Sequence, residues 1–446
     1  MNRLFSLGTL ALVAAAAAQA QAASKLEEVI VTSSRVEMPL RQVGTSVAVV
    51  TAGDIRALGF SSLADVLRTQ PAVSVSGNGG VGSVTSLRIR GEEGFRTRVL
   101  VDGIDVADVS TTQVGPRLEH MMSAGIHRVE ILRGPQGLMY GADAGGIVNI
   151  TTRRGGEGFD GNISAEGGRY DTRQLGADLA GGNEIIDFAL SAVDYSTGGF
   201  NARADDTVLR DDDGYDNTTV HGRLGWNAGD RLRLQLVARD VRGEGEYDNC
   251  FGREGRSDNC DNEYDQSAWR LAADLATGAF SHQLAYAVND TERQFYTDGL
   301  PAFGAESELQ KWSYLGRFDG GEALALVFGA DLQTETMDDG FSGHERDQDG
   351  FYLEYQGNHV DHLYLTAGIR YDDNEDFGSH TTYRVSAAYV IPMRGGELKF
   401  KGAYGTGFRA PSLYEIVSND SPWAFPPPSE VALRKEESAG FDVGLP

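Results

Sequence analysis

The stretch Ile126–Arg154, IHRVEILRGPQGLMYGADAGGIVNITTRR, divides this chain into two kinds of sequence. Before it, short helical and extended patterns alternate; after it, apolar and polar residues alternate almost to the last residue. Val129–Leu132 and Ile147–Thr152 are short runs rich in β-branched side chains, and the GPQGLMYGADAGG between them is filled with turn formers. Two strands joined by a Gly-lined loop are predicted. Such a loop occurs in many α+β domains, so its meaning depends on what flanks it.

Composition narrows the flanks. Glycine supplies 57 of 446 residues and proline only 12, which excludes collagen and suits many turns between short strands. A formal net charge of -26 lacks the basic footprint that nucleic acid demands, and equally the polybasic patch that attaches proteins to anionic lipid. Neither H-E-x-x-H nor G-K-[ST] occurs, no Ser/His/Asp order or acid/base pair stands out, and the 8 histidines are scattered singly. No enzyme is expected.

Residues 1–23 carry Arg3, an apolar run from Leu4 to Ala18, and small residues at A-x-A spacing around Ala18, Ala20 and Ala22. This reads as a cleaved secretory signal peptide. The apolar run is too short for a membrane helix, which needs about 20 residues. Any membrane span of this protein therefore has to be a β-barrel.

Strand patterns dominate from Gly161 onward. Leu232, Leu234, Leu236 and Ala238 alternate with Arg231, Arg233, Gln235 and Val237; HLYLTAGIRYD and ELKFKGAYG repeat the pattern. A soluble sandwich gives the same alternation, but a run of long, near-equal hairpins with aromatic residues near strand ends fits a lipid-facing barrel. Tyr195, Phe200, Tyr286, Phe295, Tyr371, Phe377 and Tyr389 are the candidate girdle residues. Roughly fourteen strands are predicted between Gly161 and Leu445.

Upstream, VAVVTAGDIRALGFSSLADVLRTQPAVSVSG predicts a strand, a turn, a helix over Ser62–Arg68 capped by Ser61 or Ser62, and a further strand from Val73. Gly77, Gly79 and Gly82 satisfy G-x-G-x-x-G, yet SVTSLRIR follows and alternates like a strand. A dinucleotide site would need a helix there.

The run VEILRGPQGLMYGADAGGIVNITTR, together with LADVLRTQPAVSV, LRIRG and VLVDGIDV, resembles the plug domain of TonB-dependent outer-membrane receptors. YGTGFRAPSLYEI resembles a signature of the same family that sits mid-barrel, as does RKEESAGFDVG, where Lys435 replaces the usual proline. The resemblance implies a signal peptide (1–23), a TonB box and linker (24–40), a small α+β plug (41–155) and an antiparallel transmembrane β-barrel (156–446). Since plugged barrels have about 22 strands, it also implies a C-terminally truncated receptor with an incomplete barrel.

Residue roles follow from the same resemblance. EEVIVTSS is similar to the TonB box, placing Glu28, Val29, Ile30, Val31 and Thr32 where the TonB energy-coupling protein takes hold by strand addition. Arg90 in LRIRG and Arg133 in LRGP are expected to lock plug to barrel through Glu415 and Glu436. Asn78 and Ser83 in the Gly-rich loop are expected to face ligand. The DDDGYDN hairpin and RYDDNEDFGSHTTYRVSAAY resemble vitamin B12 (cobalamin) receptors more than the larger siderophore receptors. Cobalamin is thus the expected solute, a ferric siderophore the alternative, and a passive outer-membrane pore or adhesin the rival from another class.

Two further expectations rest on residue chemistry alone. Cys250 and Cys260, the only cysteines, are expected to pair in a loop disulfide. Asp206, Asp211, Asp213 and Asp216 offer hard oxygen ligands for calcium, although the string is not an EF-hand; a solvated acidic surface is the alternative.

Overall fold

The computed structural model describes residues 30–31 and 35–445, except 113, 135, 142–144, 204–210, 254, 322, 395, 423, 426, 428–429 and 431. The signal-peptide expectation over residues 1–23 lies outside the described residues.

A five-stranded sheet forms the first domain: β1 (Ser46–Thr51), β2 (Thr97–Val101), β3 (Ile104–Asp105), β4 (Ile126–Arg133) and β5 (Gly146–Thr152), ordered β1-β4-β5-β2-β3. The predicted hairpin is β4–β5, antiparallel with Glu130 opposite Asn149, while β5 runs parallel to β2 with Val148 opposite Val99. Period-2 alternation sends the strands' apolar residues to two places. Val129, Ile131, Val148 and Ile150 join Leu63, Val66 and Leu67 in one core. Leu132 and Ile147 join Leu138, Met139 and Tyr140 against Val327 and Tyr352 of the surrounding wall. The domain is therefore seated on the wall by apolar packing along one side, where truncating Leu132 to Ala costs about 2–5 kcal/mol.

The predicted helix is Leu63–Arg68, with the Ser62 hydroxyl accepting from the Ala64 N–H. One helix was read as a turn. Ala52–Leu58 is helical because Thr51 and Asp54 form a capping box at its start and Gly59 closes it at φ 66°. Gly82 has φ 90° and is followed by the strand Thr85–Ile89 rather than a helix, so the dinucleotide geometry is absent there.

Among the described residues from Gly158 on, one antiparallel sheet of 14 strands dominates. It comprises β6 (Gly158–Gly167), β7 (Arg173–Gly182), β8 (Ile186–Phe200), β9 (Asp213–Asn227), β10 (Leu232–Tyr247), β11 (Cys260–Thr277) and β12 (Phe280–Thr297). It continues with β13 (Leu300–Asp319), β14 (Ala325–Asp338), β15 (Gly343–Val360), β16 (Leu363–Asn374), β17 (Gly378–Met393), β18 (Gly396–Arg409) and β19 (Glu436–Gly444). Strand order follows chain order, with β6 and β19 as the two edges.

Register lines up one apolar row across seven strands: Phe188, Leu224, Leu236, Leu271, Tyr286, Trp312 and Leu332 lie side by side from β8 to β14. The residues next to them in each strand face the first domain instead and are mostly polar or small. Aromatic placement departs from expectation at Tyr195. It is 4% exposed and packs inward with Met122, Val193 and Tyr215, because it shares the parity of Val193, whereas Phe200, Tyr371 and Tyr389 do face outward.

Candidate functional site

The loop after Gly77 closes one end of the sheet's interior and opens into a cavity of about 510 Å³. Asn78 and Ser83, the residues expected at the plug apex, line it together with Gly82, His120, Tyr264 and Arg293. Gly82 is required by close approach: a Cβ there would collide with the Tyr215 ring. Tyr215 also fixes His120, whose Nδ1 lies 2.8 Å from the phenol oxygen while its ring stacks on Tyr264 at 4.1 Å. Burial, assisted by nearby Arg117, pushes the His120 pKa down to about 3, so the imidazole is neutral at pH 7.

Below the cavity the first domain meets the wall through buried ions that sequence reasoning missed. Asp108 accepts from Arg117 Nε at 2.9 Å and lies 2.8 Å from Arg293 Nε of β12. Asp102, in the β2–β3 turn, accepts from the Thr152 N–H at 3.1 Å, contacts His221 Nε2 at 2.9 Å and binds Arg223, both on β9. Burial disfavours both carboxylates, but the cations and hydrogen bonds outweigh it and hold each below its usual range. Further round, Arg384 of β17 donates to Gln136 at 2.7 Å and to Glu354 at 2.6 Å. Their one advance signal is a charged residue at an inward-facing position of a strand; their partners lie too far along the chain to be inferred.

Of the four residues expected to lock plug to barrel, Arg90 and Glu436 do pair across the junction, each with another partner, whereas among the described residues Arg133 and Glu415 do not. Arg90 binds Asp442 of β19, not Glu415 or Glu436. Glu436 accepts instead from Arg96 at 2.8 Å and from Arg409 at 3.0 Å. Glu415 is held on its own side by Arg409 at 2.9 Å and by the capping box it forms with Ser412 on the helix Leu413–Asp420. Arg133 Nε and Nη2 are buried without a hydrogen-bond partner among the described residues. A carboxylate that caps a helix is already satisfied, which is why Glu415 does not reach across.

Of the acidic string, Asp211 is exposed just before β9, and Asp213 and Asp216 lie on the strand. Asp206 lies outside the described residues. Asp213 faces inward, accepting from the Ala202 N–H at 2.7 Å, whereas Asp216 is exposed at the opposite strand parity, so the two cannot share an ion. Among the described residues no three His, Cys, Asp or Glu side chains are grouped to hold a metal. Cys250 and Cys260 are joined by a disulfide, with Cα atoms 6.0 Å apart, beside the cavity rim.

Comparison with known proteins places this arrangement. Residues 39–148 match the TonB-dependent Receptor Plug Domain, and residues 149–445 match the TonB dependent receptor-like β-barrel. The chain is a TonB-dependent receptor. Among curated proteins this receptor is 28% identical over 432 residues to the vitamin B12 transporter BtuB of Photobacterium profundum, covering 95% of this chain and 67% of the relative. It is 28% identical to BtuB of Vibrio vulnificus (96% and 68% covered) and 26% identical to BtuB of Vibrio cholerae (89% and 65%). The receptor spans about two thirds of these relatives' length. In fold it is similar to the siderophore receptor PirA from Acinetobacter baumannii, with TM-score 0.75, 17% identity, and 91% of this chain and 68% of that one covered. It is also similar to the ferric enterobactin receptor PfeA from Pseudomonas aeruginosa, with TM-score 0.71, 17% identity, and 84% and 63% covered.

The receptor's N-terminal segment is tied into the same interior. Of the box residues, Glu28, Val29 and Thr32 lie outside the described residues; Ile30–Val31 pair antiparallel with Met38–Pro39. Four residues past Val31, Arg35 enters the lumen at φ 57° and donates to Asp331 of β14 at 2.8 and 3.1 Å. Its guanidinium lies 5.3 Å from the Tyr140 ring centroid and 5.5 Å from that of Tyr352.

Proposed function

We propose that this receptor sits in the bacterial outer membrane and imports a scarce solute, cobalamin, by energy coupling through TonB. The observation that carries the reading is the tie between Arg35 and Asp331. It joins the segment just behind EEVIVTSS to both plug and wall, so tension on that segment is delivered where the plug is seated. The apolar outward row suits hydrocarbon, and the ion pairs that help to hold the plug weaken once water reaches them.

Binding and release are the whole chemistry; no bond of the solute is broken. A passive pore is disfavoured by a packed domain inside the sheet and by the strand-forming handle before it. Cobalamin is supported by the vitamin B12 transporters that match along most of the chain. A ferric siderophore is the second reading, favoured by the likeness in fold to PirA and PfeA.

The test is uptake of labelled cobalamin by cells carrying the receptor, set beside surface binding and beside Ile30→Pro. Proline removes a strand donor without touching the apical cavity. Binding that persists while uptake fails supports coupled cobalamin transport. Absence of both in the unmodified receptor removes cobalamin and moves ferric siderophores to first place.

A further inference from the structure

A second cavity, of about 220 Å³, lies between the plug's Asp102–Asp105 turn and the inner faces of β9–β13. Its wall is built by register. Arg223 of β9 stands opposite Val237 of β10, Val237 opposite Arg270 of β11, Arg270 opposite Ala287 of β12, and Ala287 opposite Lys311 of β13. Every second strand thus contributes a cation to one inward row, and the strands between contribute small apolar side chains that leave room in front of it. Arg223, Arg270 and Lys311 all line the cavity.

The carboxylates nearby each hold several donors already, and two of them, Asp102 and Asp331, also touch Arg223 and Lys311 of the row, which leaves Arg270 as its one member outside an ion pair among the described residues. Asp102 is bound by Arg223, His221 and Thr152, and Asp105 lies 3.2 Å from Arg98. Asp331, 3.7 Å from Lys311, already receives Arg35 and Arg370. Asp274 is taken by Gln235 and Gln283. Arg270 forms no ion pair among the described residues; it donates to neutral Gln283 at 2.9 Å and its Nε would lie 3.1 Å from a Cβ on Gly103. Asp274 and Asp102 lie near this guanidinium without forming an ion pair with it, so its donors are offered to an oxyanion that enters the cavity.

We infer that this cavity binds an oxyanion, a phosphate or phosphodiester, on the cation row Arg223–Arg270–Lys311 against the Asp102–Gly103 turn. The cavity lies further along the same strands than the apical cavity and has Arg35 in its lining, so an anionic group on a permeant that passes from one to the other meets it. Only that transit role rests on the transport reading; binding of the anion does not.

The test has two arms on the full receptor. In the first, the melting midpoint of the purified protein is followed with inorganic phosphate against chloride at equal ionic strength, for the unmodified receptor and for Arg270→Gln. Phosphate stabilises proteins generally by exclusion, so the decisive quantity is the difference between the two proteins. A midpoint that climbs with phosphate only in the unmodified receptor supports the site. An equal rise in both, or none in the unmodified receptor, overturns it, and the second result needs no variant to fold. The second arm measures uptake of labelled cobalamin, which carries a phosphodiester, with surface binding as the control for folding. If uptake by Arg270→Gln falls about tenfold, a factor worth one good contact, the occupant is the permeant's phosphate. If uptake is unchanged while the first arm is positive, the occupant is free phosphate. Should cobalamin not bind at all, the first arm still decides the site.

Discussion

Arg35 and Asp331, separated by 296 residues, make a two-pronged ion pair inside the lumen, Nη1 to Oδ1 at 2.8 Å and Nη2 to Oδ2 at 3.1 Å. Asp331 also takes Arg370 Nη1 at 3.0 Å, so one carboxylate organises cations from the N-terminal segment and from β16. The N-terminal segment and the wall of the sheet meet in this pair.

Removing that carboxylate should free the handle. Asp331→Asn leaves Arg35 and Arg370 without their shared anion, a loss of about 3–5 kcal/mol in seating the segment by analogy with other broken buried pairs. A spin label placed at the exposed Glu37 is expected to become more mobile, while solute binding at the apical cavity stays unchanged. An unchanged spectrum would mean that the segment is held by its strand ladder instead.

The plug should stay seated well into mild acid. Asp102 and Asp108 both have folded pKa values below the unfolded aspartate value of about 3.9. Their contribution is therefore complete above that value and is lost as pH falls through the depressed folded values. Protease resistance of the plug is expected to be flat from about pH 7 to 5 and to fail only below about pH 4. Asp108→Asn should give at neutral pH the weakened plug that acid gives the unmodified receptor.

Arg293 tests the same junction from the wall. It donates to Ser110 Oγ at 2.8 Å as well as pairing with Asp108. Arg293→Met should lower the melting midpoint of the plug, through loss of roughly 3 kcal/mol, with the strand content of the sheet intact by circular dichroism.

Reducing the disulfide should act on binding rather than on the fold. Cys250 and Cys260 close a short loop that carries Arg256 at the cavity rim, directly after Asn249. Loss of a disulfide generally costs about 2–4 kcal/mol of local constraint. Solute affinity is expected to fall on mild reduction while the heat-resistance of the sheet, read by gel mobility, is retained.

Much of this architecture is local and could be read directly. The β4–β5 hairpin, the Leu63–Arg68 helix and the alternating strands each follow from side-chain period and turn chemistry within a few residues. The helix Ala52–Leu58 was legible too, in Thr51 and Asp54, but its Gly53 made the segment look like a turn. Site residues divide the same way. Asn78 and Ser83 reach the cavity because a Gly-rich loop at the plug's tip has nowhere else to go, and Cys250 had a single possible partner.

The sequence by itself determined the two-part fold, the number of strands and which face of each strand is apolar, since these depend on neighbours one to four residues apart. Only the tertiary structure decided which ions meet: Arg90 with Asp442, Arg96 with Glu436, Asp102 with Arg223, Arg35 with Asp331. Those pairs depend on strand register and on where a separate domain seats inside the sheet. A one-residue slip would turn every inward charge outward, so no local pattern of charges carries that information.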